Sequence, residues 1–281
     1  MVSMRDYPEG AVRAGRSVLM ELSRILGEFR DHMVVVGGWV PLLLFESAKE
    51  SHPGSLDVDL AVDFREISDQ SYRTILEYLS RSGYRQDAAQ PFRFFREIDL
   101  DDERSYTVEV DFLAGEYGGS GKGHRTQVAQ DLRARKARGC DLVYQDRIEV
   151  TISGQLPGGA MDEVTILVAG VVPWIVMKGM ALHSREKAKD AFDICYTIRN
   201  YPGGMDELVQ QFIPHLDNHL VQEGLHKIRS KFRAINWIGP RSVADFLETD
   251  SEEAYEVEQR RAFEAVSEFL DQLQIENGSM P

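Results

Sequence analysis

The stretch Ser55-Leu56-Asp57-Val58-Asp59-Leu60-Ala61-Val62 decides the fold. Successive side chains of a strand point to opposite faces, so that Asp57 and Asp59 share one face and apolar side chains share the other. The alternation therefore predicts a strand with one buried face and one face that carries two carboxylates.

A second informative stretch lies just upstream. Val34-Val35-Val36 has the pattern of a buried strand, and it runs into Gly37-Gly38 and then into a helical pattern from Trp39 to about Ala48. Glycines without side chains let the backbone approach a ligand, and a helix that follows offers free N–H groups to an anion. Gly37 and Gly38 are therefore predicted to bind the phosphates of a nucleotide.

The remaining elements follow from hydrophobic periodicity. Helices are predicted at residues 11–30 and 68–81, strands at about 92–98, 105–113, 141–150 and 164–169, and mainly helices from Val171 onward. The fold class is therefore α+β. A mixed sheet with flanking helices is expected over residues 1–170, and a mostly helical domain that contributes to the cleft is expected over 171–281.

Composition sets the broad class. The chain has 281 residues, 43% of them hydrophobic, and two cysteines far apart in sequence. No apolar run approaches the roughly 18 residues of a membrane span, and no secretory leader or disulfide framework is recognisable. We therefore expect a cytoplasmic protein without a membrane partner.

The net charge of −14 argues against general affinity for nucleic acids. One stretch, residues 124–138, is nevertheless basic. It is either a solvated helix or a surface that faces RNA, and the sequence leaves both interpretations open.

A third carboxylate, Asp111, lies in the strand pattern Val108-Glu109-Val110-Asp111-Phe112. Magnesium is normally held by one or two carboxylates together with substrate phosphates. Asp57, Asp59 and Asp111 are therefore predicted to bind Mg²⁺, with Asp111 completing a two-metal site or serving as the base.

Each of these features has a plainer interpretation. An Asp-x-Asp strand can be the solvated face of an edge strand, a glycine pair can be a turn, and Asp111 can be a surface residue. Their order along the chain favours a site. The glycine-rich residues 118–123 depart from the phosphate-loop pattern, since Glu116 and Gly123 replace residues that it requires, and they are predicted to be a loop.

Cations and carboxylates recur together in the second half, between Lys178 and Asp193. In one continuous helix Lys178, Arg185 and Lys189 would share a stripe, whereas Ser184 could instead cap a second helix. The group is either part of the active site or a surface salt-bridge network.

The chain resembles the AbiEii-type nucleotidyltransferase toxins and the related MenT-type toxins of type IV toxin–antitoxin systems. The resemblance rests on Gly37-Gly38, Asp57-x-Asp59, Asp111 and the block Lys178…Arg185-x-Lys187-x-Lys189-Asp190-x-x-Asp193. It implies metal binding by the first two aspartates, triphosphate contact by Lys178 and a supporting or catalytic role for Asp190. Arg185 and Lys189 are expected to assist Lys178.

The resemblance implies Mg²⁺-dependent transfer of a nucleoside monophosphate from a nucleoside triphosphate to an acceptor, which is the acceptor end of tRNA in some members. A cognate antitoxin would then be a partner. Two alternatives stay open. The acceptor could be a small molecule or a protein hydroxyl, which suits an acidic chain, or the protein could be a non-catalytic nucleotide-binding module.

Overall fold

A computed structural model describes residues 3–45, 48, 50–63, 65–67, 69–100, 104–116, 126–129 and 132–276, with side chains throughout except at 69–72, 126–129 and 132–134. The predicted loop at 118–123 lies outside the described residues. The chain divides into two compact units. The sheet unit comprises Tyr7–Leu44 and Gly54–Gly170, and the helical unit comprises Met1–Asp6, Phe45–Pro53 and Val171–Pro281.

Strands of the sheet unit form a mixed sheet. They are β1 (Met33–Val36), β2 (Val58–Val62), β3 (Arg85–Gln86), β4 (Arg93–Asp99), β5 (Ser105–Ala114), β6 (Thr126–Ala129), β7 (Leu132–Lys136), β8 (Arg147–Gln155) and β9 (Met161–Ala169). Their order is β3-β4-β5-β2-β1-β9-β8, and β7 pairs with both β5 and β6. Strand β2 runs antiparallel to β1 and parallel to β5.

Helices of the sheet unit flank this sheet. They are α1 (Glu9–Ile25), α2 (Val40–Leu44) and α3 (Asp69–Arg81). Helix α1 contacts β2, β5, β8 and β9. It does so because Val18, Leu19 and Leu22, at helical spacing, are buried on one face.

The helical unit consists mainly of α4 (Val171–Arg185), α5 (Ala188–Asn200), α6 (Gly204–Phe212), α7 (His219–Lys231), α8 (Ile238–Leu247) and α9 (Glu252–Gln272). The α+β class with a mixed sheet and flanking helices is therefore confirmed. Among the helices that the structure describes, none is both long and apolar enough to cross a membrane.

Several predicted elements need correction. The strand expected at 141–150 begins only at Arg147, because Cys140–Tyr144 forms a 3-10 turn. Leu142 and Val143 are buried in that turn, and a short apolar run does not distinguish a strand from other buried structure. The basic stretch is not a helix, since Thr126–Ala129 and Leu132–Lys136 form β6 and β7.

The helix expected from Trp39 to Ala48 is shorter. A 3-10 turn, Gly37–Trp39, leads into α2, which ends at Leu44. Glu46, Ser47 and Lys49, in the predicted last turn and just beyond it, lie outside the described part of the chain.

The Lys178–Asp193 block forms a helix pair rather than one helix. Glu186 has a φ of 49° in the left-handed region, which interrupts helical geometry between α4 and α5. Ser184 is not the cap that the sequence suggested. Its hydroxyl donates to the Ala181 carbonyl within α4, and Lys187 precedes α5.

Candidate active site

Gly37 lies directly against the Asp59 carboxylate in the predicted site. The antiparallel pairing of β1 with β2 sets Val36 opposite Asp59, so that the glycine turn begins beside this carboxylate. Gly37 has a φ of 72°, and a Cβ built on it would lie 2.0 Å from Asp59 Oδ2. Only glycine fits here, because any side chain would collide with the carboxylate and strain the backbone. Gly38 is buried in the same turn.

Asp57 is exposed and directly precedes β2. The indole Nε1 of Trp39 donates to the Asp57 carbonyl at 2.8 Å, and Ser55 Oγ donates to Asp57 Oδ1 at 2.5 Å. The first bond fixes the backbone and the second orients the carboxylate. Asp57 therefore presents an exposed and oriented anion two residues before the half-buried Asp59.

Asp111 pairs in register with Asp59, since β5 runs parallel to β2. Paired residues of neighbouring strands carry their side chains on the same face, so both carboxylates lie on one face of the sheet. Asp111 is buried and bound by Arg93, whose Nε is 2.8 Å from Oδ1 and whose Nη2 is 2.9 Å from Oδ2. Arg93 Nη2 also lies 2.7 Å from Glu109 Oε1. The hydrogen bonds to Asp111 raise the pKa of the guanidinium despite partial burial.

The structure thus places Gly37 against Asp59 and sets Asp111 in register with Asp59, while Asp57 lies two residues before Asp59. We call Gly37-Gly38, Asp57, Asp59 and Asp111 the aspartate site. Within the described ranges, no group of three or more His, Cys, Asp or Glu side chains is arranged to hold a metal ion. Asp57 and Asp59 nevertheless suit magnesium, which needs only one or two carboxylates when substrate phosphates supply further oxygens.

Lys178, Arg185, Lys189 and Asp190 lie in the helical unit, where they form a buried charge cluster with Asp193 and His52. Its contacts are Lys178 Nζ with Asp190 Oδ1 (2.9 Å) and Asp193 Oδ2 (2.7 Å), Arg185 Nε with Asp190 Oδ2 (2.7 Å), Lys189 Nζ with Asp193 Oδ1 (2.8 Å), and His52 Nε2 with Asp193 Oδ1 (3.0 Å). The alternative of a surface network is wrong, because every member but Arg185 is buried.

Electrostatics hold this cluster in a defined charge state. Burial alone would raise the pKa of Asp193, but Lys178 and Lys189 outweigh it and hold that pKa well below its usual range. Burial also opposes the charge on Lys178, yet Asp193 and Asp190 raise its pKa. Burial, reinforced by Lys189, lowers the pKa of His52 to about 4. His52 is therefore neutral near pH 7. The contact of Lys178 with a triphosphate stays a prediction.

Two members of these groups were not found from the sequence. Arg93 depends on the pairing of β4 with β5, across 18 positions of sequence, and His52 lies 141 positions from Asp193. For Arg93 the sequence predicts only that it lies in a strand, and not which strand that one pairs with. Nothing around His52 resembles a motif.

Comparisons with known proteins extend only to the general fold. No protein-family model matches the chain, and no curated protein matches its sequence. The crystal structure of JHP933 from Helicobacter pylori is similar with a TM-score of 0.44 and 14% identity, covering 95% of this chain and 94% of that chain. A second Helicobacter pylori structure, provisionally assigned as a nucleotidyltransferase, gives a TM-score of 0.45 and 13% identity over 95% of this chain and 97% of that one.

An antigenic nucleotidyltransferase-like protein from Paracoccidioides brasiliensis gives a TM-score of 0.39 and 14% identity, covering 75% of this chain and 93% of that chain. Likeness at this level assigns no residue of this chain a role. The geometry of the aspartate site has to carry any functional conclusion.

Proposed function

We propose that this chain is a magnesium-dependent nucleotidyltransferase. The observation that carries the proposal is the seating of the Gly37 turn against Asp59, with Asp111 in register on the neighbouring strand. A turn without side chains beside carboxylates places a backbone that can approach phosphate next to ligands that suit the phosphate-bound cation.

Each residue of the aspartate site has a part in this proposal. Asp57 and Asp59 would hold the ion, and Gly37 and Gly38 would leave room for the triphosphate. When bound, magnesium would neutralise charge on the triphosphate oxygens. Asp111 lies on the same face and completes the anionic surface that the acceptor hydroxyl meets.

In the transfer itself, the acceptor oxygen forms a bond to the α-phosphorus while the bond from that phosphorus to the bridging oxygen of pyrophosphate breaks. The acceptor proton leaves to a base. Preorganised charge is the main contribution that a protein can make to such a step. Ser55 and Trp39 contribute by fixing Asp57 before the substrate arrives.

The decisive experiment incubates the protein with labelled nucleoside triphosphates, Mg²⁺ and total cellular RNA. We expect labelled RNA, and we expect Asp57→Asn with Asp59→Asn to abolish labelling while the melting temperature stays within a few degrees. Glu163→Gln, which neutralises an exposed carboxylate on β9 of the same sheet, is the matched control and should label normally. Labelling that survives the double substitution would falsify the assignment.

The acceptor class and the biological role belong to the same proposal. On the resemblance to AbiEii-type and MenT-type toxins, we propose tRNA as acceptor and a toxin role held in check by an antitoxin. Parallel reactions with aminoglycosides and with protein substrates test the acceptor, since label on these but not on RNA would replace tRNA. Growth arrest on induction of the native chain, but not of the double variant, tests the toxin role.

A further inference from the structure

The carboxylate of Asp111 already forms an ion pair with the guanidinium of Arg93. Two of the guanidinium nitrogens of Arg93, Nε and Nη2, lie 2.8 and 2.9 Å from Oδ1 and Oδ2 of Asp111, in a fork that engages both oxygens at once. The pair is well shielded, with side-chain exposures of 19% for Arg93 and 7% for Asp111. Bidentate arginine–carboxylate pairs are among the strongest and most rigid polar contacts in proteins.

Arg93 is held by more than this one contact. Its Nη2 also lies 2.7 Å from Oε1 of Glu109. Glu109 precedes Asp111 by two residues and is therefore on the same face of β5. One guanidinium thus faces two carboxylates, and the backbone pairing of β4 with β5 sets Arg93 directly opposite Asp111. Its location is fixed by strand register as well as by charge.

A divalent cation bound by Asp111 would lie beside that guanidinium. Two positive centres within about 4 Å repel each other strongly in a partly buried setting, where charges are weakly screened. Arg93 cannot lose its proton to relieve the repulsion, because arginine stays charged in proteins. A metal ion on Asp111 would therefore have to bind the remaining lone pairs of its oxygens against this repulsion, or displace the arginine from Asp111.

We propose that Arg93, rather than a second divalent cation, is the permanent counter-charge of Asp111, so that the aspartate site takes one divalent ion, at Asp57 and Asp59. This inference rests on the proposed nucleotidyl transfer and refines it. Arg93 is then a positioning residue that fixes the Asp111 carboxylate, and the two-metal site expected from the sequence is replaced by one metal and one arginine.

Counting bound Mn²⁺ by electron paramagnetic resonance tests this without any turnover. The native protein should bind one Mn²⁺ per chain, and Asp57→Asn with Asp59→Asn should remove it. Asp111→Asn should keep one Mn²⁺ with an affinity within about threefold of native. Arg93→Gln should gain a second Mn²⁺, and Arg93→Lys, which keeps the charge, should stay at one.

Loss of an ion pair can also damage folding, so the double variant Arg93→Gln/Asp111→Asn is included. It removes both charges together and should bind one Mn²⁺. Two ions on the native protein, but a single ion on Asp111→Asn, would overturn the inference while leaving nucleotidyl transfer intact. No Mn²⁺ on the native protein together with no RNA labelling would remove the proposed function itself.

Discussion

The carboxylate of Asp59 occupies the space that a side chain on Gly37 would need. The glycine is in the left-handed region, at a φ of 72°, and its missing Cβ would lie 2.0 Å from Asp59 Oδ2. Position 37 therefore requires glycine on two separate grounds, its left-handed backbone conformation and its close approach to the Asp59 carboxylate. The second reason ties the turn to the carboxylate that we assign to the metal.

Gly37→Ala should consequently disable the site more than it unfolds the protein. The new methyl group forces Asp59 to move, because the contact is far shorter than any real Cβ contact. We expect loss of Mn²⁺ binding of at least tenfold and loss of RNA labelling. Backbone strain should cost about 1–2 kcal/mol of unfolding free energy.

Gly204→Ala separates the two effects. Gly204 has a φ of 84° but no atom within 4 Å of a built Cβ, so it carries the strain without the collision. It should lose a similar unfolding free energy in urea titrations and keep native Mn²⁺ binding. Equal Mn²⁺ affinity in both glycine variants would show that the approach of Gly37 to Asp59 does not matter to the site.

The sequence predicts those parts of the aspartate site whose signal is local. Alternation identifies β2, and the strand-then-glycine pattern identifies β1 and its turn, because both depend on side chains only a few residues apart. The strand that carries Asp111 is confirmed for the same reason.

Contacts that depend on which strands or segments meet were not predictable in this way. Arg93 binds Asp111 only because β4 pairs with β5 in one register, and a shift by one residue would turn Arg93 to the other face. His52 enters the buried charge cluster from a segment between α2 and β2 that groups with the helical unit. Periodicity carries no information about either association.

Asp193→Asn should destabilise the helical unit strongly. The substitution keeps the shape of the side chain but leaves Lys178 and Lys189, both buried, with less compensating charge. Breaking a buried pair in this way typically costs about 3–5 kcal/mol. Urea unfolding followed by circular dichroism measures it. Glu264→Gln, at an exposed position of α9, is the control and should leave the unfolding midpoint unchanged.

His52 should make stability depend on pH in a defined window. Its folded pKa is lowered to about 4, chiefly by burial and by Lys189, whereas the unfolded chain takes up the proton near its ordinary value of 6.5. Between these values the unfolded state binds more protons, so the free energy of unfolding rises with pH. The contribution of His52 to the free energy of unfolding is fully present above pH 6.5 and is lost as the pH falls toward 4. It amounts to about 3 kcal/mol in all.

Urea unfolding of the native protein and of His52→Gln at several values between pH 7 and pH 4 tests this. The free energy of unfolding should depend less steeply on pH in His52→Gln than in the native protein. His183→Gln is a useful comparison, because burial lowers the pKa of His183 in the same direction. Parallel curves for the native protein and His52→Gln would mean that His52 takes up its proton as readily when folded as when unfolded.

The edge of the sheet next to Asp111 offers the best candidate contact for an RNA acceptor. Strand β7 pairs with β5 just beyond the point where β4 begins, and Arg135 is the register partner of Leu113. Leu113 and Asp111 are two positions apart, so Arg135 is on the same face as the aspartate site. Its side chain is exposed, and the chain is otherwise acidic, with a net charge of −14.

Reversal of Arg133, Arg135 and Lys136 to glutamate should therefore weaken RNA labelling, and Arg135→Glu alone should do so in part. For every cation that no longer binds a phosphate, the slope of log affinity against log salt should fall by about one. Arg13→Glu reverses an exposed arginine on α1 of the same unit and is the control. If the triple reversal and the control give the same salt slope as the native protein, β7 is a solvated surface, and the acceptor binds to other residues.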